Sequence, residues 1–313
     1  MEGTAMLLVT GATGYLGSAL THLLVQEGYR VRALVRTPDK ATLLPASVEI
    51  VPGDLADEAS LVRAAAGCEG IVHLAAALGG TLEEARRSNT EGTRAVLRAA
   101  VRAGVRRVVH TSSSAAIIDT SGLVSERAAN RTALVDPYSV TKAEAEGLVF
   151  AAVREGLDAR IVNVVNAYGP SPAGPASYNR LFLAVVRGEV PVIVDARVGW
   201  VLAEDVARGH LLAYERGAAG RRYVLCGEVA TFSAVLNRVA ELWGSPHRVH
   251  ALPPGTALPP DAGLFARRSE VYGRLGPVRV DDAQARAIGF HGRGLAEGLP
   301  LTVDWLRRVA DAG

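Results

Sequence analysis

Three glycines spaced three residues apart, Gly11, Gly14 and Gly17, follow the continuous apolar run Ala5–Thr10 and precede Ser18–Glu27, where apolar residues recur at helical spacing. An uninterrupted apolar run of this length reads as a strand buried on both faces, the kind found in parallel sheets. By itself the glycine pattern is a tight turn between strand and helix. In this order it is the context of a dinucleotide fingerprint. Gly11 permits the turn, Gly14 lets the backbone approach a pyrophosphate, and Gly17 lets the helix pack closely on the strand. The helix start adds unpaired N–H groups and a positive dipole end.

Alternation of strand and helix continues down the chain. Strands are expected at Arg30–Val35, Val48–Pro52, Ile71–Leu74, Arg107–His110 and Ala159–Val164, with helices near 59–66, 82–103 and 137–155 between them. Such alternation specifies an α/β fold with a parallel sheet. After about residue 170 the pattern loosens. Ser171–Ser177 is rich in Pro, Gly and Ala and reads as a flexible loop able to cover a site. Segments expected beyond it are a helix at 179–186, a strand at 192–194, a helix at 204–215, a strand at 222–225 and a helix at 232–243. A Pro-rich stretch at 252–260 follows, then a last amphipathic helix at 300–309. The division expected is a dinucleotide-binding part over 1–170, with about 199–227 returning to it, and a substrate lobe from 171–198 and 228–313.

The end of the second strand tests which dinucleotide is bound. An NAD site places an acid there for the ribose 2′-hydroxyl. Here the end reads Leu34-Val35-Arg36, and Arg36 suits a 2′-phosphate through charge-assisted bonds. NADP(H) is therefore expected over NAD; the bland alternative is a solvated arginine. Asp54, after the third strand, suits either the adenine amino group or the N-cap of the helix at 59–66. The small residues Ala75–Ala77 after the fourth strand let backbone lie against a cofactor. His73 reads as a core or strand-end histidine. Asn89 is a polar residue near the carboxyl edge of the sheet. The run Thr111–Ser114 brings hydroxyls to the edge where ligands bind in such sheets.

Chemistry is expected at Tyr138 and Lys142. Residues four apart share one helix face, and a nearby ammonium lowers a phenol's pKa. Only Lys40 and Lys142 are lysine among the 34 Lys plus Arg. With 8 tyrosines in 313 residues, such a pair arises by chance in roughly one chain in twenty if it is only an incidental helix neighbour. The compact ammonium of lysine suits a site that holds a ribose hydroxyl and tunes a phenol.

Composition narrows the rest. Net charge is +2 with acids and bases interspersed, which gives no basic stripe for nucleic acid. The apolar segment at Met6–Val9 is too short for a signal sequence, and no window approaches the ~20 apolar residues of a membrane span. Cys68 and Cys226 lack metal or redox spacing and read as two reduced thiols of a cytoplasmic protein. No histidine pair has ligand spacing, so no metal is expected.

TGATGYLG, Gly53-Asp54-Leu55, Val72-His73-Leu74-Ala75-Ala76, the Ser112–Ser114 run, Tyr138 with Lys142, Asn166-Ala-Tyr168-Gly169-Pro170 and the later run Trp200–Ala207 together resemble the extended short-chain dehydrogenase/reductase family over nearly the whole chain. The resemblance implies a Rossmann-type doubly wound sheet with a smaller C-terminal substrate lobe. It implies Tyr138 as general acid/base, Lys142 as holder of the nicotinamide ribose, and a serine polarising the substrate oxygen. Ser113 is expected in that role, with Ser114 and Ser112 as the alternatives. Cofactor contacts are implied for Gly11, Thr13, Gly14, Tyr15, Leu16 and Gly17. Others are implied for Arg36, Asp54 and Leu55, for Leu74, Ala75 and Ala76, and for Tyr138, Lys142 and Val165. The family also implies a homodimer built on the Tyr138 helix.

Two branches of the family compete. The acid-free second strand, Val31-Arg-Ala-Leu-Val-Arg36, is similar to the dihydroflavonol-reductase-like branch, which reduces carbonyls with NADPH. Ala115 and Ala116 stand where dehydratases carry acids. The arginine that sugar-nucleotide enzymes often place before the Trp200 segment is displaced to Arg197. Against the reductase branch, Pro137 precedes Tyr138 in place of the usual Asn-Trp context, which argues against a plant-type phenolic substrate. The expected function is NADP(H)-dependent reduction of a small-molecule aldehyde or ketone. The alternative is a nucleotide-sugar epimerase using the same residues; a pure NADP binder is disfavoured because it has no use for Tyr138.

Overall fold

The computed structural model describes residues 5–311; residues 1–4 and 312–313, which the expected division includes, lie outside the described residues. The first half runs β1 (Met6–Thr10), α1 (Tyr15–Gln26), β2 (Arg30–Val35), β3 (Glu49–Pro52), α2 (Glu58–Ala65) and β4 (Gly70–His73). Then come α3 (Leu82–Ala85), a π-helical turn at Arg86–Glu91, α4 (Gly92–Arg102), β5 (Arg107–Ser113), β6 (Leu123–Ser125), α5 (Pro137–Arg154) and β7 (Ala159–Val164). The second half runs β8 (Asn166–Tyr168), α6 (Tyr178–Val186), β9 (Val192–Val194), β10 (Arg197–Leu202), α7 (Ala203–Arg216), β11 (Arg222–Leu225) and β12 (Glu228–Thr231). It ends with α8 (Phe232–Trp243), β13 (His250–Leu252), α9 (Leu264–Tyr272), β14 (Arg279–Asp281), α10 (Ala283–Ala287) and α11 (Leu295–Asp311).

Seven parallel strands form the main sheet in the order β11-β7-β5-β4-β1-β2-β3. The chain reverses its direction of travel between β1 and β4, which makes a crevice at their carboxyl ends. Side chains of β1 alternate between two cores. Leu7 and Val9 pack with Leu20 and Leu24 of α1, while Met6 and Leu8 pack with Leu61, Val96 and Val149 on the opposite face. The sheet is thus buried on both faces, as its uninterrupted apolar strands require. β10 does not join the main sheet; it pairs with β8 and β12 in a separate three-stranded sheet, and only β11 extends the main one. Trp200 of β10 centres an aromatic cluster, with ring centroids 5.2 Å from Tyr178 and 5.3 Å from Phe232.

Several elements differ from their sequence expectation. α1 winds from Tyr15 rather than Ser18, directly after the extended Gly14. The long helix expected over 82–103 is interrupted by the π-helical turn, which carries Asn89. β5 continues through Ser113, so the serines at 112 and 113 are strand residues paired with Asn163 and Val164. The cap of α2 is Asp57, whose carboxylate accepts from Ala59 and Ser60 N–H; Asp54 instead accepts from Ala56 N–H at 2.9 Å, and its capping alternative falls. α11 starts at Leu295, five residues before Pro300, because the carboxylate of Glu228 accepts the Leu295 N–H at 2.8 Å. α9 fills a stretch for which the sequence offered no element.

Candidate active site

Gly11 adopts a left-handed φ of 74°, and a Cβ there would lie 2.6 Å from the Ala75 nitrogen. A Cβ on Gly17 would lie 2.0 Å from the Gly11 carbonyl oxygen. Both glycines are therefore dictated by backbone contact, which brings the β1 turn against the end of β4. No side chain caps the first turn of α1, so its N–H groups face the crevice as an anion site. This cradle, which any side chain would fill, fits a dinucleotide.

The turn opens into a cavity of about 630 Å³. Its walls include Gly11, Gly14, Tyr15, Leu16 and Gly17 from the turn, and Leu74 and Ala76 after β4. Ser113, Tyr138, Lys142 and Val165 complete the expected residues that it gathers. Ser112 also lines it, with an Oγ that is buried and has no partner; Ser114 does not. Thr13, Arg36, Asp54, Leu55 and Ala75 lie outside the lining. Arg36 and Asp54 face one another across β2 and β3, Nη1 to Oδ2 at 4.0 Å, with the Arg36 side chain 82% exposed. Leu55 packs against Gly92.

Tyr138 and Lys142 are held by α5. Pro137 starts the helix, and the Asp136 carboxylate caps it by accepting from the Ser139 N–H at 3.2 Å and the Ser139 hydroxyl at 2.7 Å. Lys142 Nζ donates to the Thr111 carbonyl at 2.6 Å, which fixes the ammonium beneath the cavity. Burial pulls the Lys142 pKa down to about 8, opposed by the carboxylate of Glu146 one turn on. His73 and His110, on the strands beneath, are pushed toward the neutral form by burial first and by Lys142 second. His73 is a core residue bonded to Thr10 and Thr93.

The expectation that Lys142 lowers the Tyr138 pKa is corrected by the surroundings of the phenol. Burial raises it above its ordinary value; the facing Ser113 hydroxyl and the Arg268 guanidinium pull it back. The lysine ammonium is turned to Thr111, and the cation beside the phenol comes from α9. Arg268 Nη1 lies 3.0 Å from Asp136 Oδ1, and the guanidinium sits 5.1 Å from the Tyr272 ring centroid. Sequence reasoning missed α9 entirely. Its signal was the apolar set Leu264, Phe265, Val271 and Tyr272 at helical spacing, masked by the adjacent Arg267 and Arg268 and the prolines before them.

The segment at 171–177 is tied down at its ends. Ser171 Oγ donates to the Tyr15 carbonyl at 2.7 Å, and the Tyr15 hydroxyl donates to the Gly169 carbonyl at 2.8 Å. Asn179 Nδ2 in turn donates to the Tyr15 hydroxyl at 3.0 Å. Asn89 bonds both the N–H and the carbonyl of Ala77 and donates to Thr141 Oγ1, which ties the end of β4 to α5.

Residues 7–226 match the NAD dependent epimerase/dehydratase family. This chain belongs to that family. It is an NAD(P)-dependent enzyme of the extended short-chain dehydrogenase/reductase type. Sterol demethylase protein B of Methylococcus capsulatus is 37% identical over 279 residues, covering 84% of each chain. A putative dihydroflavonol 4-reductase of Synechocystis is 34% identical and covers 78% of this chain and 74% of that one. The solved structure of MoeE5 in complex with UDP-glucuronic acid and NAD is 29% identical, with a TM-score of 0.79, over 97% of this chain and 100% of that one. The chain is thus similar both to a protein named as a putative reductase and to one crystallised with a UDP-sugar and NAD. No helix among the described residues is long and apolar enough to cross a membrane.

Proposed function

We propose that this family member reduces an aldehyde or ketone with NADPH, using Ser113, Tyr138 and Lys142. The observation that carries this reading is their convergence with the glycine turn on one cavity. When bound, the nicotinamide supplies the hydride. Gly11, Gly14 and the first turn of α1 would hold the pyrophosphate, and Lys142 the ribose. Ser113 hydrogen-bonds the carbonyl oxygen and Tyr138 gives it a proton. A phenol raised by burial stays protonated through neutrality, which suits donation and therefore reduction. The kcat of reduction should hold level through neutrality and fall as pH rises past about 8, where Lys142 loses its charge. A profile still level two pH units higher would remove the charged lysine from the reaction.

Arg36 supports NADPH as the cofactor, because it stands exposed at the carboxyl end of β2 beside the glycine turn. Fluorescence titration should give tighter binding of NADPH than of NADH. Arg36→Ala should weaken NADPH by roughly tenfold or more, the worth of a charge-assisted hydrogen bond, and leave NADH unchanged. Equal affinities in the unaltered protein would sink the NADPH assignment. The likeness to MoeE5, crystallised with a UDP-sugar and NAD, favours the second reading, a nucleotide-sugar epimerase. Purified protein carrying NAD and interconverting UDP-sugars would establish that reading instead.

A further inference from the structure

The cavity has a second end, away from the glycine turn, between α9 and the start of α5. Tyr178, Leu264, Phe265, Val271 and Tyr272 wall it, and the Tyr178 and Phe265 rings lie 5.0 Å apart. The cations among the cavity's lining residues are Lys142, Arg267 and Arg268, and each is already engaged. Lys142 bonds the Thr111 carbonyl. Arg268 pairs with Asp136. Arg267 donates to the Pro259 carbonyl at 2.8 Å and lies 3.5 Å from Glu270. Asp136 and Glu270 already stand against the two guanidinium groups of this end, so a phosphate or carboxylate placed here would compete with those carboxylates, and burying an incompletely paired charge is unfavourable. The mouth points the same way. Leu78 and Leu264 both line the cavity, and each is 52% exposed. Large apolar side chains left exposed in the lining of a cleft mark a place where apolar surface is covered on binding.

We propose that the substrate is an uncharged carbonyl compound with a long or bulky apolar body. The carbonyl sits at Ser113 and Tyr138, and the body runs along Phe265 and Val271 and leaves past Leu78 and Leu264. This rests on the reading of Tyr138 as proton donor, and it sets aside substrates that carry a diphosphate.

The test is a series of straight-chain aldehydes, butanal to decanal, assayed with NADPH. The expected kcat/KM rises by about fourfold for each methylene until the chain reaches the mouth, from the transfer free energy of a buried methylene. Leu264→Asp and Leu78→Asp each flatten that rise. Val101→Asp, on the exposed side of α4 outside the lining, leaves it intact. In parallel, calorimetry follows butanol, octanol and UDP-glucose binding to the protein saturated with NADP. Octanol should bind best and UDP-glucose worst. A kcat/KM independent of chain length, or UDP-glucose binding more tightly than octanol, overturns the proposed substrate class. NADPH oxidation without chain-length dependence leaves the reductase reading standing alone. Chain-length-dependent alcohol binding with no aldehyde turned over upholds the substrate class and overturns the reductase reading.

Discussion

Tyr138→Phe is expected to lower kcat for carbonyl reduction by about two to four orders of magnitude, the usual worth of a positioned general acid, while NADPH affinity and thermal stability change little. The group that faces the phenol oxygen with a hydrogen bond is the Ser113 hydroxyl, while Arg268 acts on it through charge alone. The ring itself packs against the core, and phenylalanine keeps that packing. What is lost is the proton for the developing alkoxide. Ser113 would still hydrogen-bond the oxygen, and Lys142, held on the Thr111 carbonyl, stays in place because its anchor does not involve Tyr138. Steady-state assay beside fluorescence titration of NADPH separates the two effects. Turnover within tenfold of the unaltered protein would take the proton-donor role away from Tyr138.

Elements whose boundaries are set by neighbours in sequence were legible. The strands at 30–35, 159–164, 192–194 and 222–225 lie where hydrophobic pattern places them. So does α8, which starts at the capping Thr231 and stops at Gly244 in a left-handed conformation. The family and the Rossmann-type fold were legible for a further reason: the glycines at 11 and 17 answer to backbone contacts that admit no other residue. What was not legible depends on partners far away in the chain. Glu228 starts α11 through the Leu295 N–H, and no local pattern announces that. Arg268 reaches Asp136 from a helix hidden behind prolines. The Tyr138–Lys142 spacing placed both groups on one helix face, but it did not show that Thr111 claims the ammonium and that burial dominates the phenol. Spacing specifies a face; the field at that face comes from residues of β5 and α9.

Glu146→Ala is expected to destabilise the fold by about 3–5 kcal/mol, the cost of leaving a buried charge without its partner. Glu146 is fully buried one helical turn beyond Lys142, and its Oε2 accepts from Arg222 Nε at 2.7 Å. Arg222 is buried too, and it also donates to the Ala128 carbonyl at 2.7 Å and to Asn130 Oδ1 at 3.0 Å. The second carboxylate oxygen accepts from Asn163 Nδ2 at 2.6 Å, and the same amide donates to the Ser113 carbonyl at 3.0 Å. One carboxylate therefore supports the strand end that carries Ser113 and supplies countercharge to Lys142. Adding Arg222→Met to Glu146→Ala should recover part of the loss, because the orphaned guanidinium goes with it; denaturant melts of the four proteins of the cycle measure the coupling. Glu146→Gln separates charge from structure. It keeps the hydrogen bond to Asn163 or Arg222 but removes the field that opposes the burial of Lys142. The charged group that bears on Lys142 is Glu146 on its own helix, with His73 and His110, pushed toward the neutral form, on the strands beneath. Loss of the carboxylate therefore lowers the lysine pKa further, and the alkaline fall in kcat should begin below pH 8. A limb that stays where it was would confine Glu146 to holding Arg222 and Asn163 in place.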